Sequence, residues 1–278
     1  MSRAFFDIRY SARKFARSPG LAFALLLTIA LGVGSNVSVY GFILGLTKSD
    51  LPLASAGRVV SIFGQDAHRE GGPLTYKEYL LVKRCRDAFE WIGVARIAPG
   101  VTEVAKQSAI VSVAALTSDL ANALNLSLGK GVVVSHYLWQ NELGAEANIR
   151  GEEIRISGAD ARVSGVAPTW LEGLYRDRDV DVWMPLEERS LEGDDRSRRN
   201  LWVLARLRPG VSIRQAQTAI RSNRDASGEM RVLPYTGMTP EMEDGMSRIS
   251  TLLRFAAGAV FFIACANIAS FLLERAFA

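Results

Sequence analysis

The sequence predicts an α+β membrane protein, with two transmembrane helices flanking a mixed α/β domain of two lobes. Three observations predict it. Phe255 to Leu273 is a charge-free run of nineteen residues, and Leu21 to Leu46 is a second charge-free run. A helix needs about 20 apolar residues to cross a bilayer core, so both runs are long enough. Between them lie about 200 residues of ordinary water-soluble composition, in which short apolar runs alternate with helical patterns.

The chain is accordingly divided into an arm (1–19), a first transmembrane helix (20–46), a soluble insert (47–250), a second transmembrane helix (251–273) and a short tail (274–278). The first run holds fourteen Leu, Ile, Val or Phe residues. Each favours insertion by roughly 0.3–0.6 kcal/mol near a helix centre, offset in part by Gly and by Asn36. The second run holds nine such residues and encloses Asn267. The competing reading of either run is a buried core helix, which usually spans about 10–14 residues. A cleaved signal peptide would need an apolar core of about 7–15 residues and a small-residue cleavage site. Here Gly32, Gly34 and Ser35 lie inside the run and Val37 to Leu46 follows, which favours an uncleaved anchor.

Charge sets the orientation. Residues 1–18 carry Arg3, Arg9, Arg13, Lys14 and Arg17 against one acid, Asp7. Basic residues beside a membrane helix stay cytoplasmic, while long domains translocate regardless of charge. The N-terminus is thus expected inside, the insert outside, and the C-terminus back inside. The rest of the chain carries 28 basic and 28 acidic residues, so the net charge of +4 comes from the arm. The insert therefore has no electrostatic footprint for nucleic acid. At 100° per residue, Phe5, Ile8, Ala12, Phe15 and Ala16 share one face of the arm, opposite Arg3, Arg13, Lys14 and Arg17. With Arg9, this makes a membrane-surface helix on an anionic leaflet, ended by Ser18-Pro19-Gly20. The alternative is a disordered basic tail that only sets topology.

Within the insert, Arg58 to Phe63 reads as a strand, and Thr75 to Arg84 as a helix with Tyr76, Tyr79, Leu80 and Val82 or Lys83 on one face. Ala109 to Leu116 reads as a strand, and Ser118 to Leu126 as a short helix capped by Ser118. Val132 to Val134 is a strand feeding a helix over His136 to Leu143. Glu152 to Ile156 and Ala161 to Val166 form a hairpin around Ser157-Gly158. Leu201 to Leu207, the turn Pro209-Gly210, a helix over Ser212 to Ser222 capped by Ser212, and Met230 to Leu233 complete the pattern. Gly173 to Arg199, dense in charge, reads as the mobile loop.

No motif carries catalysis. The phosphate-cradling GxxxxGK[ST] pattern is missing, since Gly129-Lys130-Gly131 lacks both the upstream glycine and the hydroxyl. The histidines are His68 and His136, and no HExxH occurs. Cys85 and Cys265 fall in different compartments and are not expected to pair. No cofactor, metal site or enzymatic activity is expected. The membrane runs do carry small-residue stripes at four-residue spacing, including Gly32, Gly34, Gly41 and Gly45 in the first and Ala266 and Ser270 in the second. Such stripes let helix backbones approach closely, and Asn36 and Asn267 would seek partners in lipid. The alternative is that Gly and Ala are simply common in membrane helices.

Four blocks together carry a resemblance. DIRYSARKFARSPGLAFALLLTIALGVGSNVSVYGFI opens the chain, VVVSHYLWQNELGAEANIRGEEIRISGADARVSGVAP with DVWMPL lies in its middle, RNLWVLARLRPGVSIRQAQTAI follows, and IACANIASFLLERA closes it. In this order they resemble a MacB-like, FtsX-type ABC transporter permease, of the duplicated class common in acidobacteria. The resemblance implies a first membrane helix, a periplasmic core domain and three further helices, in a homodimer in the bacterial inner membrane that works with a separate ABC ATPase subunit. ATP-driven closure would then move the periplasmic domain mechanically. The sequence departs from the family by ending after the helix that matches the second. The expectation is a truncated or reduced permease subunit that by itself neither hydrolyses ATP nor stimulates an ATPase. The alternative is a membrane-tethered periplasmic binding or scaffold protein.

Overall fold

The structure is a computed structural model that describes residues 23, 26–27, 30–34, 36–41, 56–66, 69–104, 107–145, 148–192, 197–222 and 229–277. The arm residues Arg3, Arg9, Arg13, Lys14 and Arg17, together with Gly45 and His68, lie outside them. The chain forms two compact units, one of Ser49–Glu243 and one of Met1–Lys48 with Asp244–Ala278.

In the first unit the described strands form a single sheet. They are β1 (Val59–Asp66), β2 (Arg69–Gly72), β3 (Phe89–Val104), β4 (Gln107–Leu116), β5 (Val132–Val134), β6 (Glu153–Ile156), β7 (Ala159–Val166), β8 (Val182–Pro185), β9 (Leu201–Leu207) and β10 (Met230–Pro234). Their order is β10-β1-β9-β3-β4-β8-β5-β7-β6, with β2 on β1. The pairs β4/β8 and β5/β7 are parallel and the other pairings antiparallel. Strand β6 also pairs back onto β3 through Thr102↔Ile156 and Glu103↔Arg155. Strands β3, β4, β8, β5, β7 and β6 therefore close into a ring, and closure removes free edges. The two expected lobes are two regions of one sheet, a flat half and this ring.

Helices α1 (Tyr76–Arg84), α2 (Ser118–Ala123), α3 (His136–Asn141) and α4 (Ile213–Ser222) pack on the sheet, and α5 spans Pro240–Phe277. Side chains alternate faces along a strand. On one face of the flat half, Val60, Ile62, Val94, Val203 and Ala205 meet α1 and α4. On the other, Phe63, Ala95, Trp202 and Leu204 meet α2 and the segment around Leu171–Val180. The ring holds its own cluster, including Val111, Val134, Ile154, Val163 and Val182.

Helix α1 starts one residue later than expected, because Thr75 is its N-cap rather than its first residue. The Thr75 hydroxyl accepts from the Glu78 amide at 3.2 Å, and the Glu78 carboxylate accepts from the Thr75 amide at 2.8 Å. Ser212 and Gln215 repeat the arrangement at α4, with bonds of 3.3 and 2.8 Å. Helix α2 is capped one residue earlier than expected, at Thr117, whose hydroxyl is turned to the Val94 amide at 2.9 Å instead. Leu80 sits on the exposed side of α1, and Glu78 and Leu81 take the buried positions.

Two segments differ from expectation. Phe89–Val104, the longest strand, was not anticipated, because Gly93, Pro99 and Gly100 break its pattern and Pro removes a ladder donor. Pro99 is tolerated because it lies in a stretch with a partner strand on one side only: β9 pairs up to Arg96 and β6 begins at Thr102. Gly173 to Arg199 contains the sheet strand β8 rather than one continuous loop, and Trp183 in it is fully buried. Its four-residue apolar run was masked by charged flanks.

One buried ion pair ties these elements together. The Arg199 guanidinium donates to both oxygens of Glu78, at 2.9 and 2.8 Å, and to the carbonyls of Gln65 and Pro73. Glu78 is 1% exposed. A Cβ on Gly64 would stand 2.2 Å from Arg199 Nη1, so only glycine in β1 leaves room for this fork. Nearby, burial works against the Glu188 carboxylate, but Lys83 and the Tyr79 hydroxyl, which donates at 3.1 Å, outweigh it and hold the group below its ordinary range. Burial, reinforced by Glu188, pushes the Tyr79 phenol up. Removing one partner of a buried pair strands the other charge, at a cost of roughly 3–5 kcal/mol. Arg199 keeps 24% side-chain exposure. Arg199→Met is therefore expected to lose about 2–3 kcal/mol in denaturant unfolding, and Glu78→Leu/Arg199→Met to recover part of that loss.

Candidate functional site at the sheet–helix joint

Strand β10 and helix α5 are separated by five residues, Tyr235 to Thr239. Each is held. The Tyr235 amide donates to the Val59 carbonyl at 3.0 Å, and its hydroxyl donates to the Leu174 carbonyl. The Tyr235 ring lies 6.2 Å from that of Tyr175, whose own phenol is pushed up by burial. Gly237 takes a positive φ of 74° and its carbonyl accepts from the Arg176 amide at 2.9 Å. This φ suits glycine because it has no Cβ to clash. The Thr236 hydroxyl donates to Glu243 and accepts from the Met238 amide at 3.3 Å.

Thr239 then starts the helix as an N-cap, its hydroxyl accepting from the Met242 amide at 3.4 Å. Pro240 occupies the first helical position, where its missing N–H costs nothing. Glu241 and Glu243 place negative charge in the first turn, which the helix dipole favours. Gly71 of β2 lies against Pro240, and a Cβ there would stand 2.3 Å from the proline Cγ. The contacts thus run from α1 through the Glu78–Arg199 pair to Gly64, across the Gly64↔Gly72 pairing to β2, and through Gly71 to Pro240.

Among the described residues, α5 contains the segment long and apolar enough to cross a membrane, Pro240–Asn267, with a mean hydropathy of 1.9 and 12% of its apolar window buried. For the first expected transmembrane helix, the described residues between Phe23 and Gly41 are helical. Among the described residues of this second unit, Asn36 Nδ2 donates to the Gly32 carbonyl at 2.8 Å and to the Ala257 carbonyl at 3.3 Å, a polar contact between the two helices. Gly32 and Ala257 are buried there. Gly34 and Gly41 are exposed, and a Cβ on either would meet nothing within 4 Å among the described residues. Ala266, Asn267 and Ser270 are also exposed. Of the expected packing residues, the structure thus brings Gly32 and Asn36 together with Ala257, which the small-residue spacing had not singled out. Cys85 is buried and Cys265 exposed, neither in a disulfide, and the Cys85 thiol donates to the Leu81 and Ala219 carbonyls at 3.5 and 3.4 Å. The His136 ring lies 5.2 Å from that of Trp139, tilted by 52°. Among the described residues no cluster of His, Cys, Asp or Glu is placed to hold a metal.

Residues 22–223 match the MacB-like periplasmic core domain. The chain belongs to that family. MacB-like permeases are components of ABC transporters, and the mixed α/β sheet of this chain is their periplasmic domain. No curated protein matches the chain. Among solved structures, the periplasmic region of MacB from Actinobacillus actinomycetemcomitans is similar at 11% identity and a TM-score of 0.48, over 65% of this chain and 90% of that one. The extracellular domain of the noncanonic ABC-type transporter YknZ from Gram-positive bacteria is similar at 11% identity and a TM-score of 0.45, over 63% and 99%. A permease-protein domain from Porphyromonas gingivalis is similar at 13% identity and a TM-score of 0.47, over 67% and 92%.

The joint and the helix pair each generate an expected outcome. Gly71→Val overpacks against Pro240 and should lower the thermal stability of the full chain in detergent, by about 1–3 kcal/mol. Asn36→Leu should weaken crosslinking between the two helices, by about 0.6 kcal/mol of pairing. Gly34→Leu, on the open side, should leave that crosslinking unchanged.

Proposed function

We propose that this chain is a permease subunit of an ABC-type export or mechanotransmission system. Residues 20–46 and 251–273 cross the bacterial inner membrane, both termini face the cytoplasm, and the sheet domain lies in the periplasm. ATP is hydrolysed by a separate ABC ATPase subunit, two copies of the chain pair in the bilayer, and the basic arm lies on the inner leaflet.

The observation that carries this reading is the match of residues 22–223 to the MacB-like periplasmic core domain. The long apolar segment Pro240–Asn267 that follows the last strand is of the length a membrane crossing needs.

The test uses the full chain. In nanodiscs it should hydrolyse no ATP alone and should co-purify with an ABC ATPase. Ile110, 83% exposed on β4, supplies the topology arm. Ile110→Cys should react with a membrane-impermeant maleimide in intact spheroplasts, while the buried Cys85 reacts only after denaturation. ATP turnover by the chain alone, or Ile110→Cys labelled only after lysis, overturns the proposal.

A further inference from the structure

One face of β3 and β4 passes from one core into another. At one end Val94 lies beneath the helices of the flat half, and at the other Val111 lies inside the ring. Between them Ala98, Gly100 and Val113, the last packed in part against the ring's core, line a cavity of about 670 Å³. Small-molecule sites occupy roughly 300–1,000 Å³ and pair apolar walls with a few polar groups. Met184 of β8 and Ile156 of β6 continue the apolar wall. A Cβ on Gly100 would stand 2.8 Å from Val113 Cγ2, so the glycine keeps this wall open.

The charges around the cavity do not balance. Its two acids already have cations of their own: Glu153 is 3.3 Å from Arg162, and Asp160 is 3.0 Å from Arg155. Arg96 and Lys130 also line the space. Lys130 is exposed and makes no ion pair among the described residues. An apolar floor with an uncompensated ammonium at its rim selects for a ligand that is apolar along its body and negative at one end.

We propose that this cavity binds an amphipathic carboxylate, its alkyl chain on Ala98, Val113 and Met184 and its head at Lys130. The proposal stands on the cavity and not on coupling to an ATPase. An exposed ion pair contributes at most about a fivefold gain in affinity.

The experiment photolabels the full chain in nanodiscs with a diazirine-bearing octanoate, with empty nanodiscs as the blank. Label is expected on peptides carrying Val113 or Met184, with octanoate competing about fivefold better than octanol. Lys130→Gln, a surface change, should bring the two competitors to parity. Ala98→Trp, which fills the cavity from an exposed position, should lose the label while the chain stays folded by circular dichroism. Label confined to α5, equal competition by octanoate and octanol in the unsubstituted chain, or undiminished labelling of a folded Ala98→Trp variant overturns the proposal.

Discussion

Strand β3 has to serve two structures at once, and the rest of the domain is arranged around that constraint. Its first half pairs with β9 from Phe89 to Arg96, and its second half pairs with β4 from Ala95 to Val104. Where β9 ends, β6 takes over at Thr102. A strand of sixteen residues is far longer than the usual five or six. That length lets the flat half and the ring share a backbone ladder. Gly93 permits the closest packing in this region, since a Cβ there would stand 2.6 Å from Leu120 Cβ. Thr117 meets the same strand through its hydroxyl on Val94, which fixes α2 against the sheet.

The polar contacts follow the same economy. The Arg199 fork reaches Glu78 on α1 and the carbonyls of Gln65 and Pro73, so one side chain holds a helix, a strand end and a loop. Buried ion pairs are weak evidence for stability, because desolvation offsets most of the attraction. Their sharper consequence is positional: a bidentate guanidinium accepts one geometry. Here that geometry requires glycine at 64, and the strand so placed carries β2, whose Gly71 braces the start of α5. The joint is thus specified by close approaches at glycines as much as by apolar burial.

Much of this was legible in the residues. The cap at Ser212, the Ser157-Gly158 turn and the short strands at 132–134 and 201–207 follow from local chemistry, which acts within a few residues. The strand over Phe89–Val104 was hidden because a Pro and two Gly inside it argue against a strand unless one knows which side lacks a partner. The strand β8 was hidden because its burial depends on β4 and β5, distant in sequence. A four-residue stripe names a set of small residues, but which of them meet another helix depends on where that helix lies; Asn36 reaches the carbonyls of Gly32 and Ala257.

By itself the sequence determined the class of the protein: apolar runs of bilayer length, a basic N-terminal arm, a charge-balanced insert, and blocks that carry the family. These are sums and periods over neighbouring residues, so they need no coordinates. Only the tertiary structure decided that the insert is one continuous sheet closing into a ring, that Glu78 and Arg199, 121 positions apart, share one buried pair, and that Gly71 abuts Pro240. Each of these is a contact between residues far apart in the chain. Its energy depends on shape and distance after folding, and composition and spacing carry no record of either.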